Sequence, residues 1–252
     1  MPAALRRVTP TRYVAPLREG GSLPGLVEAD DDGLYVVKFR GAGQGPAALV
    51  AEVVAGELAR ALDLPVPELV LAELDPELPR AEPDVEIQEL LAASAGTNLG
   101  VDFLPGALPF TPAATIDPAA AADVVWLDAL VMNVDRTPRN PNLLVWHGRT
   151  WLIDHGAAFY LQHGEAPLAD AARAPFRHIA DHVLLAAAGP IAAADERLAE
   201  RAARAVADAA ALVHDGWLGP DPAARRADLT DFLHARLEPP RTFVEEAEHA
   251  RA

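Results

Sequence analysis

The sequence of 252 residues contains no cysteine. It therefore has no disulfide framework, thiol nucleophile or cysteine-ligated metal, and nothing in it indicates an oxidising compartment. Long apolar runs are also missing, because the longest, residues 183–194, is interrupted by Gly189 and Pro190 and is too short to span a bilayer. The first 25 residues lack the apolar core of a signal peptide. We therefore expect a cytoplasmic protein that does not contact membranes.

Positive charge is scarce: 21 Lys and Arg residues face 37 Asp and Glu residues, which gives a net charge of −16. Such a surface repels a phosphate backbone and anionic lipid, so we expect no direct nucleic-acid binding. Among the basic residues, Lys38 is the only lysine. A compact ammonium differs from a planar guanidinium where a point charge must reach a phosphate between other groups. Lys38 is therefore a candidate functional residue.

The composition is that of a folded globular chain, with 51% hydrophobic and 23% charged residues. At about 150 residues per domain, the length allows one large domain or two closely packed lobes. Residues 105–118 contain four prolines and mark the best boundary. We expect an N-terminal lobe over residues 1–104 and a mostly helical C-terminal lobe over residues 105–252.

The N-terminal lobe has the pattern of a sheet with one helix. Apolar residues at every fourth position predict the helix over residues 47–62. A loose acidic stretch is expected from residue 75 to about Ala95. Short runs rich in β-branched and aromatic residues predict strands at residues 11–17, 26–29, 34–39, 68–74 and 98–104. Lys38 thus lies on a predicted strand.

Two glycine-rich segments flank the lysine strand. Gly20 and Gly21 lie at a predicted hairpin tip, where backbone N–H groups can approach a phosphate closely. Residues 41–45 precede the predicted helix and could hold a phosphate at its N-terminus, but they lack the Lys-Ser/Thr ending of a P-loop. Gly20 and Gly21 are the better candidates because they precede the lysine strand.

The densest polar cluster of the C-terminal lobe spans residues 133–142. It follows a predicted helix over residues 119–131 and precedes two short predicted strands, residues 143–146 and 150–153, that are joined by a tight turn. Because a hairpin returns the chain to where it began, Asp154 comes back to the polar cluster.

Asp154 is therefore expected beside Asn140 and Asn142. Carboxylate and amide oxygens suit Mg²⁺, which takes its remaining ligands from water and phosphates. Asp135 would lie on the same loop without touching the metal, free to orient or deprotonate an attacking hydroxyl.

In order and spacing these residues resemble the HipA-like kinases, an atypical branch of the protein-kinase-like fold. Residues 36–39, Val-Val-Lys-Phe, resemble the strand whose lysine holds the phosphates of ATP. The pattern from Asn133 through Asp135 to Asn140 resembles the catalytic loop, which implies that Asp135 is the catalytic residue and Asn140 a Mg²⁺ ligand. Residues 153–156, Ile-Asp-His-Gly, resemble the metal-binding aspartate motif, which implies that Asp154 is the other Mg²⁺ ligand.

The resemblance implies further roles in the N-terminal lobe. Glu52 would pair with Lys38, with Glu57 as the rival, and both carboxylates would otherwise belong to a solvated helix face. The strand to Leu104 would be the hinge, whose backbone at Asp102, Phe103 and Leu104 holds adenine. Gly20, Gly21 and Ser22 would cover the phosphates, and Ser22 takes the place of a serine that family members phosphorylate.

The resemblance thus implies an α+β, two-lobed protein-kinase-like enzyme that binds ATP and Mg²⁺ between its lobes. The implied reaction transfers the γ-phosphoryl group to a Ser/Thr hydroxyl of a protein. Two alternatives stay open: a kinase of the same fold that acts on a small-molecule hydroxyl, and a nucleotide-binding pseudokinase. The pseudokinase is kept open by Thr137, which stands where the family usually places a histidine.

Other features have plainer interpretations. Lys38 alone could be a strand-end lysine that reaches solvent, and Asp135 and Asn140 alone could be turn formers. His178 and His182 are four apart on a predicted helix but have no third ligand, so we interpret them as surface or half-buried histidines. We assign no role to His155. The predicted helices at residues 195–214 and 222–237 could pack internally or against a second copy.

Overall fold

The computed structural model describes residues 4–17, 23–43, 45–77, 84–111, 114–160 and 171–252. Within them, the chain forms a six-stranded sheet, a three-stranded sheet and a set of helices that is concentrated in the C-terminal half. The strands are β1 (Arg6–Val8), β2 (Pro10–Pro16), β3 (Gly25–Ala29), β4 (Leu34–Lys38), β5 (Leu69–Leu74), β6 (Gly96–Asp102), β7 (Leu108–Pro109), β8 (Leu143–Trp146) and β9 (Arg149–Leu152). The helices are α1 (Pro46–Ala61), α2 (Val85–Ala93), α3 (Pro118–Val131), α4 (Ile191–Ala211), α5 (Pro222–Leu237) and α6 (Thr242–Arg251).

The large sheet has the strand order β1-β5-β6-β4-β3-β2, and every pair in it except β1 with β5 is antiparallel. The lysine strand β4 lies inside the sheet, between β3 and β6. Lys38, at its end, is in register with Leu99 of β6. Pairing on both sides fixes the backbone of the lysine strand and therefore the point from which the Lys38 side chain starts.

Helix α1 lies where the apolar spacing predicts it. Pro46 occupies its first turn, and Gly45 at the N-cap has φ 65°, a conformation that glycine adopts easily. Most of its residues from Leu49 to Ala59 are buried, because β5 and β6 lie on one side of the helix and α4 on the other. A helix buried on two sides holds its side chains in fixed positions, including that of Glu52.

The stretch predicted as an acidic loop contains a helix instead, α2. Asp84 caps it by accepting a hydrogen bond from the backbone N–H of Glu86, and Ile87 and Leu91 bury one face against the large sheet. The prediction was wrong because it overlooked a helix signal, an N-cap aspartate followed by apolar residues four apart. Strands β1 and β7 were not predicted either, and α6 was not given as a separate helix.

The C-terminal part is built around α3, which is buried over most of its length. Helix α4 contacts α1, α3 and α5, so the C-terminal helices pack internally. The predicted helix that carries His178 and His182 is wrong, because short 3₁₀ segments, Arg177–Asp181 and Leu185–Ala187, precede α4 instead. Pro175 and Pro190 interrupt helical hydrogen bonding there. Among the described residues, no helix is long and apolar enough to cross a membrane.

Candidate active site

Lys38 contacts two carboxylates from distant parts of the sequence. Its Nζ lies 2.6 Å from Glu52 Oε2 on α1 and 2.7 Å from Asp154 Oδ1, which follows the β8–β9 hairpin. The side chains of Lys38 and Glu52 are 14% and 1% exposed, whereas that of Asp154 is 47% exposed. The lysine thus connects a buried carboxylate of the N-terminal part to a half-exposed carboxylate of the C-terminal part.

The structure decides between the two glutamates as the partner of Lys38. Glu57 lies 3.3 Å from Arg60 in an (i, i+3) pair on the same helix, and Glu52 is the one that contacts Lys38. Glu52 and Lys38 are brought together because α1 packs across the sheet that contains β4.

Each member of this buried pair keeps the other charged. Burial alone would lower the pKa of Lys38, but the carboxylates of Glu52 and Asp154 outweigh it and raise that pKa above its ordinary value. Burial would raise the pKa of Glu52, but Lys38 and then His155 lower it to about 2. The site therefore holds a lysine ammonium and a glutamate carboxylate at neutral pH.

The predicted catalytic loop is a compact hydrogen-bonded turn between α3 and β8. Asp135 Oδ2 accepts hydrogen bonds from the side-chain amides of Asn140 at 2.8 Å and Asn142 at 3.3 Å. Asn142 also donates to the backbone carbonyl of Asp135 at 3.1 Å. Thr137 and Asn140 exchange backbone hydrogen bonds that close the loop. Asp135 and Asn140 are thus in direct contact.

The hairpin returns Asp154 to this loop, as predicted. Strands β8 and β9 pair from Trp146 with Arg149 to Leu143 with Leu152, and the next hydrogen bond runs from Ile153 N to Asn142 O at 3.1 Å. Asp154 then has φ 54°, an unusual left-handed conformation for a residue other than glycine. This bend follows directly on the hairpin, and Asp154 in that conformation contacts Lys38.

A buried network under the loop was missed by sequence reasoning. Asp128 of α3 has an exposure of 0% and accepts hydrogen bonds from the side chains of Arg136, Asn133 at 3.0 Å and His182 at 2.9 Å. Arg136 also donates to the backbone carbonyl of Asn142. The network therefore ties α3 to both ends of the catalytic loop.

Asp128 is a lone carboxylate in an apolar helix sequence, and this was the signal for the network. Burial of a carboxylate costs free energy unless the carboxylate is paired. The guanidinium of Arg136 and then His182 hold the pKa of Asp128 well below its usual range, against the opposing effect of burial. His182 was interpreted as a surface or half-buried residue, and that is wrong: it is 7% exposed, because its ring fills the space beside Asp128.

The predicted hinge residues follow β6, which ends at Asp102. The backbone N–H of Asp102 donates to Glu68 O at 2.8 Å and that of Phe103 to Leu34 O at 2.9 Å. Both backbone N–H groups are therefore already hydrogen-bonded within the protein. Leu104 N–H has no acceptor in the part of the chain that the structure describes, so it is the one of the three that can donate to an adenine ring. The predicted phosphate-covering residues Gly20, Gly21 and Ser22 lie outside the described residues.

The donor set fits Mg²⁺. Asp154 offers a half-exposed carboxylate, and Asn140, whose amide nitrogen binds Asp135, can turn its amide oxygen to a cation. Over the described ranges, no group of three or more His, Asp or Glu side chains could hold a metal ion alone. A cation bound here therefore needs oxygen ligands from a bound molecule, which is the usual arrangement for Mg²⁺ with phosphates.

A cavity of about 520 Å³ lies apart from these residues, between the end of α1, α3, α4 and the β8–β9 turn. Its rim carries the ion pairs Arg197–Asp123 and Arg201–Asp63, each 2.6 Å long. These four charged side chains are paired with each other. Glu52 and Asp154, which the sequence predicts as site residues, meet at Lys38 instead.

The fold and this site define a two-lobed protein-kinase-like protein. A family model described as HipA-like kinase matches residues 12–232, so the chain belongs to the HipA-like kinase family. Its fold is similar to the crystal structure of a Helicobacter pylori proinflammatory kinase, CtkA, with a TM-score of 0.54, 12% sequence identity and coverage of 98% of this chain and 96% of that one. No curated protein matches the sequence.

Proposed function

We propose that the protein is an ATP- and Mg²⁺-dependent kinase that transfers the γ-phosphoryl group to a Ser/Thr hydroxyl of a protein. The contact of Lys38 with both Glu52 and Asp154 is the observation that carries the proposal. In protein kinases phosphoryl transfer requires a lysine–glutamate ion pair and an aspartate that binds Mg²⁺, and these three residues would supply them.

Lys38 would hold the phosphates of ATP, and Glu52 would orient it. Glu52 is suited to this role because its carboxylate is buried and ionised. It therefore binds the ammonium with little competition from water. The adenine ring would lie against the hinge at Leu104. In this proposal residues 1–104 and 105–252 form the two lobes, and ATP lies between them.

Asn140 and Asp154 would hold Mg²⁺, whose bound charge neutralises the phosphate oxygens. For this, the Asp154 carboxylate has to turn from Lys38 toward the metal. Its 47% exposure leaves room for that movement. Lys38 keeps its contact with Glu52 meanwhile, so the ammonium remains anchored.

Asp135 would accept the proton of the acceptor hydroxyl or orient that hydroxyl for attack. Its side chain is oriented by the amides of Asn140 and Asn142, and the buried Asp128 network supports the loop from below. Catalysis then consists mainly of positioning and charge neutralisation. The net charge of −16 favours neutral or basic acceptors over nucleic acid or anionic lipid, and we place the reaction in the cytoplasm.

The test is incubation of purified protein with Mg²⁺ and γ-labelled ATP, alone, with a generic protein acceptor and with a panel of hydroxyl metabolites. Transfer to protein that Lys38→Ala and Asp154→Ala abolish would support the proposal. Transfer only to a metabolite would show that the acceptor is a small molecule and not a protein. Mg²⁺-dependent ATP binding without any transfer would indicate a pseudokinase. Phosphopeptide mapping of the labelled protein tests autophosphorylation at Ser22.

A further inference from the structure

His155 is a buried polar residue that the proposed mechanism does not use. It directly follows Asp154, and its side chain has an exposure of 0%. Neither ring nitrogen has a hydrogen-bond partner among the described residues. Buried polar groups in native proteins are almost always paired, so an unpaired imidazole beside an active site requires an explanation.

The imidazole faces the second oxygen of Glu52. His155 Nδ1 lies 3.5 Å from Glu52 Oε1, just beyond a normal hydrogen bond, while Lys38 Nζ lies 2.6 Å from Glu52 Oε2. The two oxygens of one carboxylate thus face a histidine and a lysine. Because the Glu52 side chain is only 1% exposed, its carboxylate has little contact with bulk water.

Gly56 lies on α1 beside the imidazole. It lies one helical turn after Glu52 and therefore on the same face of α1. A β-carbon at Gly56 would lie 3.0 Å from Leu69 Cδ1 and 3.9 Å from His155 Nδ1. A side chain at Gly56 would therefore be crowded by Leu69, whereas it would make only an ordinary van der Waals contact with His155.

We propose that His155 is a positioning residue for Lys38, which it serves by donating its Nδ1–H to Glu52 Oε1. The inference rests on the proposed function. When Asp154 turns to a metal, Lys38 keeps only Glu52 as its carboxylate partner. Rotation of the Glu52 carboxylate would then release the lysine, and a donor on Oε1 prevents that rotation. A shift of a few tenths of an ångström closes the hydrogen bond.

Three substitutions separate this role from simple packing. In His155→Asn an amide nitrogen can take the place of Nδ1, in His155→Gln it reaches only the region of Nε2, and His155→Leu has no donor. We expect His155→Leu to raise the KM for ATP about tenfold, with kcat changed less, as for other residues that orient a binding group. His155→Asn should restore most of that loss and His155→Gln should not. Circular dichroism and thermal unfolding check that each variant is folded.

A double-mutant cycle tests the connection through Glu52. In a Glu52→Gln background, which already lacks the carboxylate, His155→Leu should add little to the rise in KM. Nitrogen NMR of histidine-labelled protein supplies a readout besides activity: His155 should carry its proton on Nδ1 with and without Mg²⁺ and ADP, and Glu52→Gln should shift that signal.

Two results would overturn this inference and leave the proposed function standing. They are a folded His155→Leu variant with the KM of the wild type, and a His155 proton on Nε2 in an active enzyme. Equal rescue by His155→Asn and His155→Gln would also contradict it, because the role is assigned to Nδ1. A wild-type protein that neither binds Mg²⁺ and ATP nor transfers phosphate would instead overturn the proposed function, and this inference with it.

Discussion

Lys38 and Asp154 are 116 residues apart in the sequence, and their charged groups are 2.7 Å apart in the structure. Because Glu52 also contacts the lysine, one ammonium balances two carboxylates of very different exposure. The buried contact, between Lys38 and Glu52, is a structural contact of the N-terminal part. The contact with Asp154 is more exposed, and in the proposed mechanism Asp154 exchanges it for a metal ion.

Asp154→Asn is expected to remove metal dependence without unfolding the protein. The Asp154 side chain is half exposed and Lys38 retains Glu52, so the free energy of unfolding should change by about 1 kcal/mol or less. The thermal stabilisation by ATP that depends on Mg²⁺ should disappear, as measured by melting curves with and without the metal. Asp63→Asn, at an 83% exposed position, is the control and should keep that stabilisation. A variant at Asp154 that behaves like the control would contradict the metal assignment.

Asp135→Asn should reduce transfer while leaving nucleotide binding intact. The substitution keeps the size of the side chain but removes the proton acceptor, and loss of a general base costs on the order of 10²–10⁴-fold in rate. The dissociation constant for ATP with Mg²⁺, measured by calorimetry, should match that of the wild type. Asp181→Asn, an exposed carboxylate of the C-terminal part, serves as control. A loss of ATP affinity equal to the loss of rate would show that Asp135 holds the nucleotide instead.

Asn140 and Asn142 form a matched pair for testing the second metal ligand. Both donate to Asp135, but Asn142 is only 8% exposed and also bonds to backbone, whereas Asn140 is exposed. Asn140→Ala should raise the Mg²⁺ concentration for half-maximal activity about tenfold or more, with little change in melting temperature. Asn142→Ala should mainly lower the melting temperature, because it loosens the loop. If the two effects are reversed, Asn142 is the metal ligand.

Much of the arrangement around Lys38 could be predicted because hairpins and strands carry local sequence signals. The turn at His147 and Gly148 fixed the return of the chain, so the position of Asp154 near the loop followed from local geometry. Lys38 is the only lysine of the sequence, and this identified its strand as part of the candidate site. Glu52 could not be chosen over Glu57 from spacing, because both lie on α1 and only the packing of that helix decides which one faces Lys38.

The supporting residues were harder to find because their partners are distant in sequence. His182 bonds to Asp128 across 54 residues, and no local pattern announces that contact. A similar limit applies to Arg236, whose buried guanidinium donates to the carbonyls of Ala129 and Leu130 at the end of α3. Burial lowers the pKa of Arg236 to about 10. Long-range polar contacts of this kind depend on how the helices pack, which periodicity alone does not specify.

The buried network at Asp128 should make stability depend on pH. Arg136 and His182 hold the pKa of Asp128 below its usual range despite burial. A group whose pKa is depressed by folding stabilises the protein above its unfolded pKa, about 4, and that contribution is lost as pH falls toward the folded pKa. Asp128→Asn should therefore cost about 3 kcal/mol or more at pH 7, since it leaves Arg136 buried without its counter-ion.

Urea unfolding of Asp128→Asn and wild type between pH 7 and pH 3 measures this dependence. The difference in the free energy of unfolding should stay constant down to about pH 5 and shrink below pH 4, where the unfolded carboxyl is protonated. Asp123→Asn, on the same helix but in a partly exposed pair with Arg197, should cost about 1 kcal/mol or less. A difference for Asp128→Asn that is small at pH 7, or that grows on acidification, would show that the carboxylate does not stabilise the loop through its charge.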